Sequence, residues 1–210
     1  NGAVDFAGSG VVHMIGGAIG LAGAIVLGPR IGKFNKDGSA NTIPGHSLSL
    51  GVLGTIILFF GWFGFNPGSS LGFVGAFRNL AVIAAINTLM AGAAGGVSAM
   101  TYMWLAGPTK KPDPGMSVNG VLAGLVAITA PCAFVDSWAA VVIGLTAGLI
   151  VCWASTLLEK LKIDDPVGAV PVHFFNGAWG VLAVGIFANG NPDTAAWNGV
   201  ESAVTGLLYG

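Results

Sequence analysis

Charged residues are scarce in this chain. Asp, Glu, Lys and Arg make up 8% of its 210 residues, hydrophobic residues make up 54%, and the mean hydropathy is +0.80. Soluble domains carry roughly 25% charged residues, so this composition excludes a soluble globular domain and predicts an integral membrane protein. With a formal net charge of -1, the chain also lacks the basic surface that a nucleic-acid partner would need.

Cysteine and histidine are rare too, with two and three residues respectively. Cys132 and Cys152 both lie inside apolar runs, where buried small hydrophobic side chains are a better interpretation than a disulfide or a reactive thiol. No acidic residue lies at the predicted centre of a span, which weakens any mechanism that needs an intramembrane carboxylate. No metal site, no resident cofactor and no enzymatic activity is predicted.

Six apolar runs are long enough to cross about 30 Å of hydrocarbon, which takes roughly 20 helical residues. They lie near residues 6–29, 47–65, 79–106, 116–135, 138–159 and 166–188, and a seventh run begins near residue 201. The connectors are short and rich in Gly, Pro and Asn. We therefore predict an all-α integral membrane protein with one transmembrane domain over residues 1–210. Because the first residue is Asn1 and no cleavable signal precedes the first span, we expect a longer parent protein.

The positions of Lys and Arg indicate the orientation, because loops rich in these residues remain in the cytoplasm. Only Arg78 falls after an even-numbered span. The other seven follow odd-numbered spans and are Arg30, Lys33, Lys36, Lys110, Lys111, Lys160 and Lys162. The sequence therefore predicts a multi-pass protein of the cell (inner) membrane with its Asn1 side extracytoplasmic.

Two segments repeat each other at an offset of 160 residues, and each carries one histidine inside an apolar run. Asp5 and His13 of the first copy correspond to Asp165 and His173 of the second. The first span runs inward and the sixth runs outward, so the copies are antiparallel, as in inverted repeats with a substrate path at their interface. Each histidine follows its aspartate by about 12 Å of helix. Both rings are therefore expected near the bilayer midplane and close together.

Ionisable side chains within the hydrocarbon region are costly and usually mark function. An interhelical hydrogen bond is the plain alternative, but a symmetric pair favours a joint role for His13 and His173. Neutral imidazoles can donate to and accept from a small polar molecule, which suits a path for a small neutral solute. Asp5 and Asp165 each precede a helix start, where N-capping explains them. A further alternative is a haem held between the histidines in an electron carrier.

Three motifs lie in order along the chain. The first covers residues 5–30 and contains DFAGSGVVH, GG, GL and GPR; the second is GWFGFNPGS at residues 61–69; the third surrounds His173 and continues through GAWG and GIFA. Together they resemble the ammonium transporter, methylammonium permease and Rhesus family, in its bacterial or archaeal type. The resemblance places the chain as the second part of an eleven-span fold, from its fifth span to the start of its last.

The resemblance implies a homotrimer embedded in membrane lipid, in which each subunit has its own narrow pore. In that family ammonium is recruited in an outer vestibule, loses a proton and passes as ammonia along two hydrogen-bonded histidines. The matching positions are His13 and His173 for the pore, Phe65, Trp62 and Ser69 for the gate and recruitment site, Asp5 for an aspartate needed for transport, and Thr129 for a pore-side threonine.

The chain also departs from the family pattern. The first-half residues that complete the gate are not in this sequence, nor is the tail that would support contact with a cytoplasmic PII-type regulator. Phe174, Phe175 and Asn176 stand where small residues are common, and they are expected to narrow the lower pore or change its selectivity. An ammonium sensor on the same scaffold is the alternative function.

Overall fold

The computed structural model describes residues 3–198 and 203–209, and its core is helical. Two π-helical segments each continue directly into an α-helix. In chain order the elements are the first π-helical segment Ser9–Met14, α1 (Ile15–Leu27), α2 (Leu48–Phe65), a 3-10 turn Pro67–Ser70, α3 (Ala76–Leu105), α4 (Pro114–Ile128), α5 (Ser137–Lys160), the second π-helical segment Val170–Phe175, α6 (Asn176–Phe187) and α7 (Asp193–Asn198).

Five helical stretches in the described part of the chain are long and apolar enough to cross a membrane. They are Ser9–Leu27, Leu48–Ser70, Ala76–Leu105, Ser137–Lys160 and Val170–Phe187. Their positions follow five of the six predicted spans closely. The predicted all-α, polytopic membrane fold is confirmed.

Helices α3, α4 and α5 form the centre of the bundle, and glycines allow their backbones to approach one another. A Cβ added to Gly124 would lie 2.2 Å from the carbonyl oxygen of Ala91, and one added to Gly144 would lie 2.3 Å from the same atom. Likewise, a Cβ on Gly148 would lie 2.4 Å from the Gly95 oxygen. Small residues at such contacts are typical of helices that pack in lipid, where close van der Waals contact drives association.

The fourth predicted span, 116–135, differs from the structure because α4 ends at Ile128. Pro131 cannot continue the helix, and residues 129–135 form turns although their side chains are fully or almost fully buried. Non-helical backbone at membrane depth is tolerated where protein surrounds it and satisfies its polar groups. Other elements supply these partners. The carbonyls accept from distant N–H groups: Phe6 N donates to Ala130 O, Ala7 N to Thr129 O, and Asn87 Nδ2 to both Cys132 O and Val135 O. The N–H of Ala130 donates to Ser9 Oγ.

The seventh predicted span does not begin as a helix in residues 203–209, and residues 199–202 lie outside the described residues. The backbone N–H of Gly206 donates to Ala188 O at 2.8 Å, and that of Leu207 donates to Gly185 O at 2.9 Å. These donors satisfy carbonyls at the end of α6, so the segment runs back along that helix. The N–H of Tyr209 donates to Gly206 O at 3.0 Å, so these last described residues form a turn.

Candidate functional site

Each of the two repeated histidines lies in a π-helical segment, His13 in Ser9–Met14 and His173 in Val170–Phe175. In the first segment the N–H of His13 donates to Gly8 O at 3.0 Å, five residues back. Such segments are rare and are found frequently at functional sites. The repeat predicts the pairing of these residues, but no pattern in the sequence predicts the wider helical turn.

The aspartates of the repeat cap the two π-helical segments. The Asp5 carboxylate accepts from the N–H groups of Gly8, Gly10 and Val11 at 3.1, 2.9 and 3.0 Å. Asp165 accepts in the same way from residues 168, 169 and 170 at 3.1, 3.0 and 2.7 Å. Because both side chains satisfy N–H groups that have no partner within the helix, their position is that of an N-terminal cap.

Two equivalent glycines allow the histidine helices to cross in contact. A Cβ added to Gly17 of α1 would lie 2.3 Å from the backbone nitrogen of Phe174, and one added to Gly177 of α6 would lie 2.5 Å from the carbonyl oxygen of Ser9. Each glycine therefore faces the π-helical segment of the other repeat. No other residue type fits at this distance, so the crossing point is determined by the repeat itself.

The crossing brings the two imidazoles together. Nδ1 of His13 and Nδ1 of His173 lie 3.2 Å apart, and the ring centroids are 5.2 Å apart. His13 is 8% exposed and His173 is half-buried. When both rings are neutral, one Nδ1–H donates and the other Nδ1 accepts, so one Nε2 remains an acceptor and the other a donor. Among the described residues, Nε2 of His13 is buried without a hydrogen-bond partner.

This spacing does not fit a haem between the two rings. Two imidazole nitrogens on one metal ion are separated by roughly 4 Å when they lie on opposite sides, twice a bond of about 2.0–2.1 Å. The observed 3.2 Å between the Nδ1 atoms is shorter, and ring centroids only 5.2 Å apart leave no room for a metal ion on the line between these nitrogens. The arrangement therefore does not support an electron carrier with a haem between these histidines.

Two aromatic residues of α2 cover the other side of His13. Trp62 stacks on the imidazole with a centroid separation of 5.2 Å and an interplanar angle of 17°. Phe65 lies 5.6 Å from the same ring and 5.7 Å from Trp62. Trp62 is buried and Phe65 is exposed. The order Phe65 and Trp62, His13, His173 forms a continuous column of rings.

Ser69 lies one turn beyond Phe65 and is half-buried. Its hydroxyl donates to Phe65 O at 2.8 Å, which leaves oxygen lone pairs free to accept. The indole N–H of Trp197 donates to Ser69 O at 2.9 Å, and Trp197 packs on Phe6 with a centroid distance of 4.7 Å. Sequence reasoning missed Trp197, because it lies outside the repeat and outside the three motifs.

Thr129 lies at the end of α4 and is fully buried. Its hydroxyl donates to Leu125 O at 2.7 Å and accepts from the indole N–H of Trp62 at 3.1 Å. Thr129 is thus connected to the histidine pair through Trp62.

The three residues that follow His173 point to different neighbours. The ring of Phe175 packs edge-on against Trp153 of α5 with a centroid distance of 5.6 Å. Asn176 is fully buried and donates from Nδ2 to Pro171 O at 2.9 Å. The Cα and Cβ of Phe174 lie against Gly17. Phe175 and Asn176 therefore support the second π-helical segment from outside the column of rings.

An ion pair joins the end of the first histidine helix to the start of the second. Arg30, just after α1, donates from Nε and Nη2 to the two carboxylate oxygens of Asp164 at 2.7 and 2.9 Å. The hydrogen bond from this guanidinium is the main cause that lowers the pKa of Asp164 to about 2. Beside it, Lys33 donates to Glu159 at 2.9 Å. The loops after the first and fifth predicted spans therefore meet on one side of the molecule.

Membrane-length helices arranged as an inverted repeat, with a polar pair where the two copies cross, are typical of the class of membrane transport proteins. The profile of the Ammonium Transporter Family matches residues 1–210. The chain is 54% identical over 209 residues to ammonium transporter Amt2 of Archaeoglobus fulgidus, and this match covers 100% of the chain and 43% of that relative. It is 46% identical over 185 residues to a putative ammonium transporter of Synechocystis, covering 88% of the chain and 42% of the relative. The chain belongs to the ammonium transporter family.

Solved structures agree with this assignment. A protein described as a sensor Amt protein superposes with a TM-score of 0.85 at 45% identity, over 95% of this chain and 48% of that one. Mep2 of Saccharomyces cerevisiae superposes with a TM-score of 0.85 at 32% identity, over 99% of this chain and 45% of that one. The chain spans less than half the length of the relatives it matches.

Proposed function

We propose that this chain forms part of a transporter that moves ammonium across the membrane along the paired histidines. The contact between His13 and His173 at 3.2 Å is the observation that carries the proposal. It joins two antiparallel helices at their crossing point, where a substrate path through an inverted repeat is expected. Family membership adds independent support, because the relatives are described as ammonium transporters.

Recruitment is assigned to the outer end of the column, at Phe65, Trp62 and Ser69. An aromatic face attracts a cation with about 0.5–2 kcal/mol, depending on how far the cation is desolvated. The hydroxyl oxygen of Ser69 has free lone pairs that can accept an N–H of ammonium. These groups favour the binding of ammonium over that of water, but they discriminate only weakly between ammonium and potassium.

Selectivity is assigned to loss of a proton before the buried rings. His13 is 8% exposed, and a bare cation in such surroundings is costly. Asp5 and Asp165 both cap helix starts, and among the described residues no carboxylate forms an ion pair with either imidazole. Ammonium can give a proton to solvent water at the outer end of the path and enter as ammonia, whereas potassium has no proton to lose. Ammonia can then donate to the Nε2 of one ring and accept from the Nε2–H of the other.

The proposed assembly is a homotrimer in the cell (inner) membrane with its Asn1 side extracytoplasmic. The ion pairs of Arg30 with Asp164 and Lys33 with Glu159 gather Lys- and Arg-bearing loops on one side, which supports a cytoplasmic location for that side. A PII-type regulator would reach the same face. Native mass measurement of the full-length protein tests the trimer.

The experiment is methylammonium uptake into proteoliposomes that contain the full-length protein. If the protein transports ammonium, we expect saturable methylammonium uptake down a concentration gradient. Empty liposomes serve as the control. His13→Ala is expected to abolish most of this uptake. Saturable ammonium binding without any uptake would instead favour a sensor, and uptake unaffected by His13→Ala would contradict the proposed path.

A further inference from the structure

We propose that Thr129 is a positioning residue that orients Trp62 against His13 and does not itself contact the substrate. The proposal rests on the function proposed above, because it concerns how that path is held in shape. Thr129 directly follows the last residue of α4, whereas Trp62 belongs to α2 and His13 to the first π-helical segment. One hydroxyl therefore connects the central bundle to the column of rings.

The hydrogen bonds of Thr129 define this role. Its O–H donates to Leu125 O at 2.7 Å, and its oxygen accepts from Nε1 of Trp62 at 3.1 Å. The side chain is fully buried, with a relative exposure of 0%. Because the one proton of the hydroxyl is used and its oxygen already accepts from the indole, Thr129 is poorly placed to bind a passing solute.

Trp62 needs such an anchor. It is 7% exposed, and a buried indole N–H without an acceptor is unfavourable. The bond to Thr129 satisfies this donor and at the same time opposes rotation of the indole about its side-chain torsions. The indole then presents a flat face to His13 at an interplanar angle of 17°. If the indole turned, His13 would lose the surface that supports its ring opposite His173.

The backbone of Thr129 reaches the same site from a second direction. Its carbonyl oxygen accepts from the N–H of Ala7 at 3.0 Å, between the capping residue Asp5 and the first π-helical segment. The break in α4 after Ile128 is what frees this carbonyl for an acceptor role outside the helix. Thr129 thus links the segment that carries His13 to the residue that stacks on it.

Three variants of the full-length protein test the proposal. Thr129→Val keeps the shape and removes the hydroxyl, Thr129→Ser keeps the hydroxyl, and Trp62→Phe removes the indole N–H. Thr129→Val is expected to lower methylammonium uptake about five-fold, the factor that corresponds to one neutral hydrogen bond. Thr129→Ser is expected to keep uptake near the wild-type rate. In the Trp62→Phe background, Thr129→Val should have little further effect, because no N–H is left to satisfy.

Thr146→Val is the matched control. The Thr146 hydroxyl also donates to a carbonyl four residues back, at 2.9 Å, but it is half-buried on α5 and takes no part in the column. This variant should transport like the wild type.

A second readout does not depend on transport. The Nε1–H NMR signal of Trp62, identified by its loss in Trp62→Phe, should shift in Thr129→Val and stay near its wild-type position in Thr129→Ser. An unchanged signal in Thr129→Val would overturn the inference even if uptake is normal. An equal loss of uptake from Thr129→Val in the wild-type and Trp62→Phe backgrounds would also overturn it. Absence of uptake in the wild type would instead contradict the proposed function and leave the NMR test valid.

Discussion

His13 and His173 are 160 residues apart in the chain, and their Nδ1 atoms lie 3.2 Å apart in the structure. The offset is the same one that relates the two copies of the repeat. Each copy supplies the same set of parts: a capping aspartate, a π-helical segment with the histidine, and a glycine that admits the other copy. The contact between the rings is therefore a consequence of the symmetry of the fold.

The reciprocal glycines predict a steric effect. Gly177→Ala would place a Cβ 2.5 Å from Ser9 O and 2.7 Å from the backbone nitrogen of Met14, so the two histidine helices must separate. Overpacking of this kind costs about 1–3 kcal/mol. Thermal unfolding of the full-length protein in detergent should show a lower midpoint, and uptake should fall because the rings move apart.

Gly185→Ala is the control for this variant. Gly185 lies on the same helix, and a Cβ added there meets no described residue within 4 Å. We expect an unfolding midpoint at or above that of the wild type, since Ala favours helix more than Gly does. Equal behaviour of the Gly177 and Gly185 variants would show that the crossing is not as close as described.

The caps predict a graded loss of stability. Asp5→Ala removes all three acceptor contacts at the start of the first π-helical segment, with Gly8, Gly10 and Val11, while Asp5→Asn keeps one side-chain oxygen. Loss of an N-terminal cap costs about 0.5–2 kcal/mol, so the unfolding midpoint should fall in the order wild type, Asn, Ala. A variant pair at Asp165 should behave in the same way. Stability that is unchanged in Asp5→Ala would rule out the capping role.

Sequence patterns predicted the membrane fold, the repeat and the pairing of His13 with His173, because these depend on apolar length and on equivalent positions. The end of α4 was not predicted, since an apolar run does not reveal where the backbone leaves the helix. Pro131 was the available signal. The partners that make the break tolerable, such as Ser9 and Asn87, come from distant parts of the chain, and one sequence does not show those contacts.

The supporting residues of the site were harder to predict for the same reason. Trp62 and Phe65 were proposed through a motif resemblance, and the structure places both rings beside His13. The bonds of Trp62 to Thr129 and of Trp197 to Ser69 join residues 67 and 128 positions apart. No periodicity or spacing in the sequence relates those pairs.

The ion pair of Arg30 and Asp164 predicts a pH effect. The pKa of Asp164 is lowered to about 2, chiefly by the hydrogen bond from Arg30. A carboxylate with a lowered pKa stabilises the folded state fully above its ordinary pKa of about 3.9, and the stabilisation is lost as the pH falls towards the folded value. Asp164→Asn should therefore be less stable than the wild type near neutral pH, and the gap should narrow as the pH falls from about 4 to 2.

The comparison of these two proteins isolates Asp164, because other acids with lowered pKa values, Asp37 and Asp136, are present in both. Unfolding midpoints over a pH series measure the gap. A gap that stays constant down to about pH 2 would assign the loss in Asp164→Asn to packing and not to charge.

The central claim is that the two imidazoles act as one unit. A double-mutant cycle that measures methylammonium uptake into proteoliposomes tests this claim most directly. His13→Ala and His173→Ala are compared singly and together in the full-length protein. Groups that act as a unit show strongly non-additive losses. We predict that each single variant loses at least about ten-fold in uptake, which corresponds to about 1.4 kcal/mol, and that the double variant is no worse than the more damaged single one. Losses that multiply in the double variant, or uptake preserved in either single variant, would contradict the account.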